Sequence, residues 1–281
     1  MNTVIKHPEM NQPGLNASIV ETVSADFYQG QISRSTVMGE LALAHNPSDV
    51  GSAPSHATIR LENFPVLEKV APNPAFIHQL PSRSGEYSVD LSQISRTAIA
   101  FKYKVHLDTS QVAAHAPISL LPTWKIEPTQ ASVILHYSFN SAFASPLHRS
   151  VTLHNVVVLI NIEKSKAFTC LSKPVGTFSK EKSMIYWKLG DITLDAYADA
   201  PQKLLARFST EAEAQPGTVE VRWEISGEHS VGLGSGLGLS ILSGSVGAGG
   251  PDPFADEGLT SDAWRAVEVA RKLVSGKYVA N

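Results

Sequence analysis

Apolar and polar residues alternate with a period of two along much of this 281-residue chain, the pattern that sends every second side chain to one face of a sheet. Val219, Val221, Trp223 and Ile225 alternate with Glu220, Arg222 and Glu224, which predicts a half-buried strand. Phe101, Tyr103, Val105 and Leu107 alternate with Lys102, Lys104 and His106, and Val133, Leu135, Tyr137 and Phe139 with Ile134, His136 and Ser138. Residues 37–44, 58–62, 150–162, 184–189 and 204–209 are further strands, rich in β-branched and aromatic side chains and separated by Pro, Gly, Asn and Ser. Two segments carry a helical period. Residues 18–28 fit helix or strand, and residues 264–274, behind Asp262 as a helix N-cap, read as helix on propensity alone. Many short strands without long amphipathic helices predict an all-β sandwich rather than a parallel α/β fold.

Charge and composition narrow the class. A formal charge of −3 argues against a general nucleic-acid binder, which needs a basic excess to neutralise phosphates. Cys170 is the one cysteine, so it cannot form an intramolecular disulfide or a thiolate zinc cage, and a reducing compartment fits. The longest strongly apolar run, residues 156–160, is far short of the ~20 residues that span a bilayer. Residues 1–16 contain no apolar core of a signal peptide, so Asn16-Ala17-Ser18 is an accidental glycosylation sequon. These features together predict a soluble intracellular chain.

The near-neutral total hides segregation. Residues 149–188 hold seven basic side chains against Glu163 and Glu181, whereas residues 189–262 hold three basic against twelve acidic. The basic stretch could meet an anionic membrane surface or an acidic peptide. Ten of the nineteen glycines fall between Gly227 and Gly258, which predicts a mobile Gly-rich insertion over residues 227–262. Inside it, Asp252-Pro253-Phe254 sets one aromatic beside a carboxylate on a Pro-stiffened turn, a compact ligand for a pocket with a basic rim.

Catalytic chemistry is absent from the sequence patterns. The ten histidines include no HExxH pair, and His148 and His154 read as strand or surface residues. The run Gly232-Leu233-Gly234-Ser235-Gly236-Leu237-Gly238 lacks the spacing and the following helix of a phosphate loop. Cys170 has no activating neighbours, and the tryptophans 124, 187, 223 and 264 lie in or beside apolar alternations that suit core packing. No enzyme, cofactor or metal site is expected.

Read in order, the segments resemble the mu-homology domain of the muniscin endocytic adaptors, the FCHo, SGIP and Syp group. The resemblance rests on Val20-Glu21-Thr22-Val23, Phe27-Tyr28-Gln29-Gly30, residues 60–64 and 67–70, Pro72-Asn73-Pro74, and residues 124–128 ahead of the 133–137 strand. It continues through residues 185–189 with Asp191-Ile192, residues 204–208, and the closing Gly276-Lys277-Tyr278-Val279-Ala280-Asn281. It spans residues 16–281, after an N-terminal extension of residues 1–15.

The resemblance implies an elongated two-part β-sandwich: subdomain A from residues 16–115 and 216–281, with subdomain B, residues 116–215, inserted in it. It also implies that residues 264–274 are strand, against their propensity. In function it implies a cytoplasmic adaptor domain, peripheral at plasma-membrane endocytic sites early in clathrin-mediated endocytosis. Such a domain would bind the DPF-rich tail of an EH-domain scaffold protein and transmembrane cargo. The chain's own DPF would face a clathrin adaptor complex appendage, and a full-length member would add an N-terminal membrane-bending domain. Arg60, Lys69, Lys102 and Lys104 are the expected partner-binding cations on subdomain A. The alternative is a peripheral anionic-lipid-binding module that uses the basic 149–188 segment. In the related medium chains of clathrin adaptors, an Asp and a Trp receive the tyrosine of sorting signals. The matching positions here are Ser18 and Glu268, which argues against that type of recognition.

Overall fold

A computed structural model describes residues 6–47, 55–81, 83–94, 96–143, 149–243 and 263–281. Among these the chain forms strands β1 (Gly14–Tyr28), β2 (Gln31–Asn46), β3 (His56–Glu62), β4 (Leu67–Pro72), β5 (Ile77–Gln79) and β6 (Glu86–Asp90). Then follow β7 (Ala98–Val105), β8 (Ile118–Glu127), β9 (Gln130–Phe139), β10 (Ser150–Glu163), β11 (Ala167–Lys173) and β12 (Thr177–Ser179). The last are β13 (Met184–Asp195), β14 (Gln202–Thr210), β15 (Gln215–Ser226), β16 (Gly238–Leu242), β17 (Trp264–Val267) and β18 (Val269–Ala280). The described chain has no α-helix, and the fold is the all-β sandwich that the alternation predicts.

The chain divides into two compact units. The first comprises Met1–Glu21, Met38–His106 and Gly234–Arg271, and the second Thr22–Val37, Leu107–Leu233 and Lys272–Asn281. Strands β1, β2 and β18 therefore contribute residues to each.

In the first unit, β7 pairs antiparallel with β2 on one side and with β4 on the other. A second sheet has the order β17-β16-β3-β6-β5. The two meet where Tyr87 of β6 packs edge-on against Phe101 of β7, ring centroids 4.8 Å apart. Phe101, Tyr103 and Val105 are buried while Lys102 is exposed and Lys104 half-exposed, as the period of two requires. Residues 17–21 of β1 are buried on both faces, because residues 6–13 cover the outer one. His7 Nδ1 lies 3.0 Å from Ser18 Oγ, and Met10 packs on Ala42 and Ala44.

In the second unit, β13, β10, β15 and β18 are consecutive neighbours with β12 beyond β13, and the facing sheet runs β11-β14-β9-β8. Val219, Val221, Trp223 and Ile225 of β15 are buried, and Tyr278 of β18 sits edge-on to Trp223 at 5.6 Å and tilted against Phe27 at 5.2 Å.

Two local readings are corrected. Residues 264–274 are strand, not helix, because β17 pairs residue by residue with β16, Leu239 opposite Val267 and Leu242 opposite Trp264. A ladder of tertiary hydrogen bonds outweighs the few tenths of a kcal/mol per residue that propensity supplies. The start of the Gly-rich tract is also built into the fold: residues 227–230 form a 3-10 turn, and β16 lies between β3 and β17. Gly232, Gly234 and Gly236 have positive φ, which explains their alternate spacing. The rest of the tract, including Asp252, Pro253 and Phe254, lies outside the described residues.

Candidate peptide-binding site

The first unit gathers three of the four expected cations on one strand pair. Lys102 and Lys104 lie two apart on β7 and share a face; Lys69 of β4 stands directly across from Lys104. On the other side of β7, Glu40 of β2 is opposite Lys102 and Met38 opposite Lys104. Lys102 Nζ reaches Glu40 Oε1 at 3.1 Å, and Lys104 Nζ reaches Glu68 Oε2 at 2.6 Å. The hydrogen bond from Lys104 holds the Glu68 carboxyl below its ordinary pKa. Lys69 is exposed and has no ion pair among the described residues, and Met38, on the far side of Lys104, is 59% exposed. Among the described residues β7 is the one strand that pairs with β4, which leaves the other edge of β4 with peptide N–H and C=O groups to offer an added strand. An exposed lysine without an ion pair among the described residues, next to an open strand edge, suits an extended acidic peptide.

Arg60 is placed apart from these lysines. It lies on β3 in the other sheet, bound to Glu62 at 2.9 Å, with its guanidinium 4.4 Å from the centre of the Trp264 ring. A guanidinium held between a carboxylate and an aromatic face is an anchor for β17 rather than an open cation.

A buried polar network underneath was not singled out from the sequence. Glu21 of β1 is 1% exposed, and its carboxyl accepts from Tyr103 Oη at 2.7 Å, from the Ser235 N–H at 3.0 Å and from the Ser235 hydroxyl. Asn63 Nδ2 donates to the Ser235 carbonyl at 2.9 Å, so the Gly-rich turn is fastened from two directions. Gly39 is required here, because a Cβ at that position would overlap the Tyr103 ring. Burial, and then the Glu21 charge, push the Tyr103 phenol well above its ordinary pKa, so it remains a donor. The available signal is a single acid, Glu21, among the β-branched residues of 19–23.

Ser18 is buried beneath His7 and Glu268 is exposed between β17 and β18. His154 bonds Asp191 at 3.0 Å and its ring centre is 5.4 Å from that of His229, while His148 lies outside the described residues. Burial pushes the Cys170 thiol up to about 11, a value that keeps it protonated and unreactive. Trp187 and Trp223 are core residues, whereas Trp264 is half-exposed under Arg60. The seven basic residues of the 149–188 stretch are all exposed, yet Lys164 and Lys166 flank a turn that also presents Glu163, and Lys180 and Lys182 one that presents Glu181.

Two units of stacked antiparallel sheets define a β-sandwich fold of the mu-homology type. Solved structures support that class. The Fcho1 mu homology domain of Danio rerio with bound Eps15 peptide has 19% identity and a TM-score of 0.64, with 95% of this chain and 97% of that one covered. The yeast delta-COP-I mu-homology domain complexed with the Dsl1 WxWxV peptide has 18% identity and a TM-score of 0.57, with 95% and 98% covered. Residues 13–281 match the muniscin C-terminal mu homology domain, and the chain belongs to that family. "Suppressor of yeast profilin deletion" from Saccharomyces cerevisiae is 33% identical over 278 residues, covering 96% of this chain and 30% of that protein. The chain thus spans about a third of the length of the curated relatives it matches.

Proposed function

We propose that this chain is the partner-binding domain of a cytoplasmic endocytic adaptor that acts early in clathrin-mediated endocytosis, peripheral to the plasma membrane. It takes up the DPF-containing tail of an EH-domain scaffold, and transmembrane cargo tails, as a binding module without cofactor or metal. The observation that carries the reading is the pairing of Lys69 with Lys104 next to the open edge of β4, in a chain of the muniscin family. An extended peptide would add main-chain hydrogen bonds along that edge and set its carboxylates against Lys69 and Lys104.

Titration of the 281-residue chain with a DPF-rich scaffold peptide tests this. Saturable binding is expected, and the double reversal Lys69→Glu/Lys104→Glu should weaken it by ~10-fold or more, with the effect shrinking as salt rises. No saturation at millimolar peptide, or equal affinity of the double variant, would sink the proposal. Binding to anionic vesicles alone would favour the basic 149–188 segment instead.

The Asp252-Pro253-Phe254 motif is a second element of the proposal, as bait for a clathrin adaptor complex appendage. Phe254→Ala should leave the melting curve unchanged while reducing capture of a purified appendage domain. An unchanged pull-down removes that role.

A further inference from the structure

The outer face of the four-stranded sheet in the second unit carries an apolar stripe whose chemistry nothing above uses. Along β14 the side chains of Lys203, Leu205 and Arg207 point outward, between the buried Leu204, Ala206 and Phe208. Register places Ile134 of β9 directly opposite Leu205 on one side and Lys173 of β11 opposite it on the other. One step along, Leu171 of β11 lies opposite Arg207. Leu171, Leu205 and Ile134 therefore run diagonally across three strands, and Lys173, Arg207 and Lys203 stand beside them. A groove of about 340 Å³ lies over this stripe, lined by Ile134, Leu171, Lys173, Leu205 and Arg207 among others.

Two features say what such a surface is for. Leu171 is 71% exposed and Ile134 37%, an arrangement that costs solvation and contributes nothing to the core. Lys173, Lys203 and Arg207 have no carboxylate in ion-pair range among the described residues; the neighbouring Glu127 is taken by Lys125 at 2.9 Å. Three exposed cations around an apolar floor, of which only Arg207 feels a nearby carboxylate, Glu127, call for carboxylates around an apolar side chain.

We infer that this groove is a second docking site, for an extended peptide in which bulky apolar side chains are flanked by Asp or Glu. Rows of the sheet are ~7 Å apart, the distance between alternate side chains of an extended peptide, so an apolar residue over Leu205 and Ile134 brings its neighbours two positions away toward the cations. The half-buried Leu205 gives the groove a recessed floor, which admits a peptide side chain more readily than it enters a bilayer. A second copy of this chain is disfavoured, because a two-fold contact through this face would set cation against cation. The site lies wholly within the second unit and uses none of Lys69, Lys102 or Lys104.

The test is subtractive selection from a displayed library of twelve-residue peptides. The library is first depleted on the 281-residue chain carrying Lys173→Glu/Arg207→Glu and then selected on the unsubstituted chain. Enriched clones should hold Leu, Ile, Phe or Trp flanked by Asp or Glu. Their synthetic peptides should shift the amide resonances of Ile134 and Leu205, and lose ~10-fold or more in affinity on the double variant, whose melting curve is unchanged. The inference is overturned if no acidic–apolar class is enriched, or if the resonances that move belong to β4 and β7. It is also overturned if the difference between the two chains appears only with vesicles of phosphatidylcholine and phosphatidylserine, which would make the face a lipid contact.

Discussion

Glu21→Ala should lower the stability of the chain by about 3–5 kcal/mol, because it takes the acceptor from three buried donors, the Tyr103 hydroxyl and the N–H and hydroxyl of Ser235. The Tyr103 hydroxyl and the Ser235 N–H both end on this one carboxyl group, at 2.7 and 3.0 Å. Neither can turn to solvent: Tyr103 is 3% exposed and Ser235 6%. Glu21→Gln retains the size of the side chain and one acceptor oxygen, and should cost about 1–2 kcal/mol. Urea titration separates the cases by their midpoints. The consequence extends to the site, because Tyr103 lies on β7 between Lys102 and Lys104 and is the inward residue that fixes that stretch of strand. Tyr103→Phe removes the donor without the ring, so it should preserve the fold while loosening the Ser235 turn, seen as faster hydrogen exchange at the Ser235 amide. A midpoint for Glu21→Ala within ~0.5 kcal/mol of the parent would mean that water replaces the carboxyl and that the network is not structural.

The readable and unreadable parts of this molecule differ by the range of the interactions that decide them. The alternation in residues 219–225 predicts β15 because burial of one face is written locally, every second residue. The 264–274 segment misleads because its good helix formers occupy strand positions; its partner β16 lies across a Gly-rich tract, and only the pairing reveals the conformation. The glycines themselves look like mobility by count, yet Gly232, Gly234 and Gly236 serve a turn whose anchor, Glu21, is more than two hundred residues away. The site shows the same limit. Lys102 and Lys104 are recognisable as a pair on the exposed face of a strand, but that Lys69 joins them and Arg60 does not depends on register across separate sheets. Family resemblance supplies some of this long-range information, which is why it overrules the helix at residues 264–274 where propensity cannot.

The second large effect is expected at the other end of the chain, where the closing residues are core rather than tail. Tyr278 is fully buried on β18, with Trp223 edge-on at 5.6 Å, Phe27 at 5.2 Å, and its hydroxyl donating to the Ile118 carbonyl of β8. One side chain therefore ties the two facing sheets of the second unit both by apolar packing and by a hydrogen bond. Tyr278→Ala should cost about 3–5 kcal/mol, the range for emptying an aromatic site in a packed core. Tyr278→Phe keeps the ring and orphans one carbonyl, for about 1–2 kcal/mol. Two residues earlier, Gly276 leaves room for Ser24 and Thr22, and a Cβ there would overlap both side chains. Gly276→Ala should thus destabilise although it is the change that normally favours a strand. Denaturant midpoints of the three variants should fall in the order Tyr278→Ala lowest, with Tyr278→Phe and Gly276→Ala between it and the parent. If Phe proved as damaging as Ala, the hydroxyl bond to β8 would dominate and the aromatic cluster would be incidental; if Gly276→Ala were neutral, β1 would have to yield at Ser24 without cost, which its hydrogen bond to the Lys277 N–H opposes.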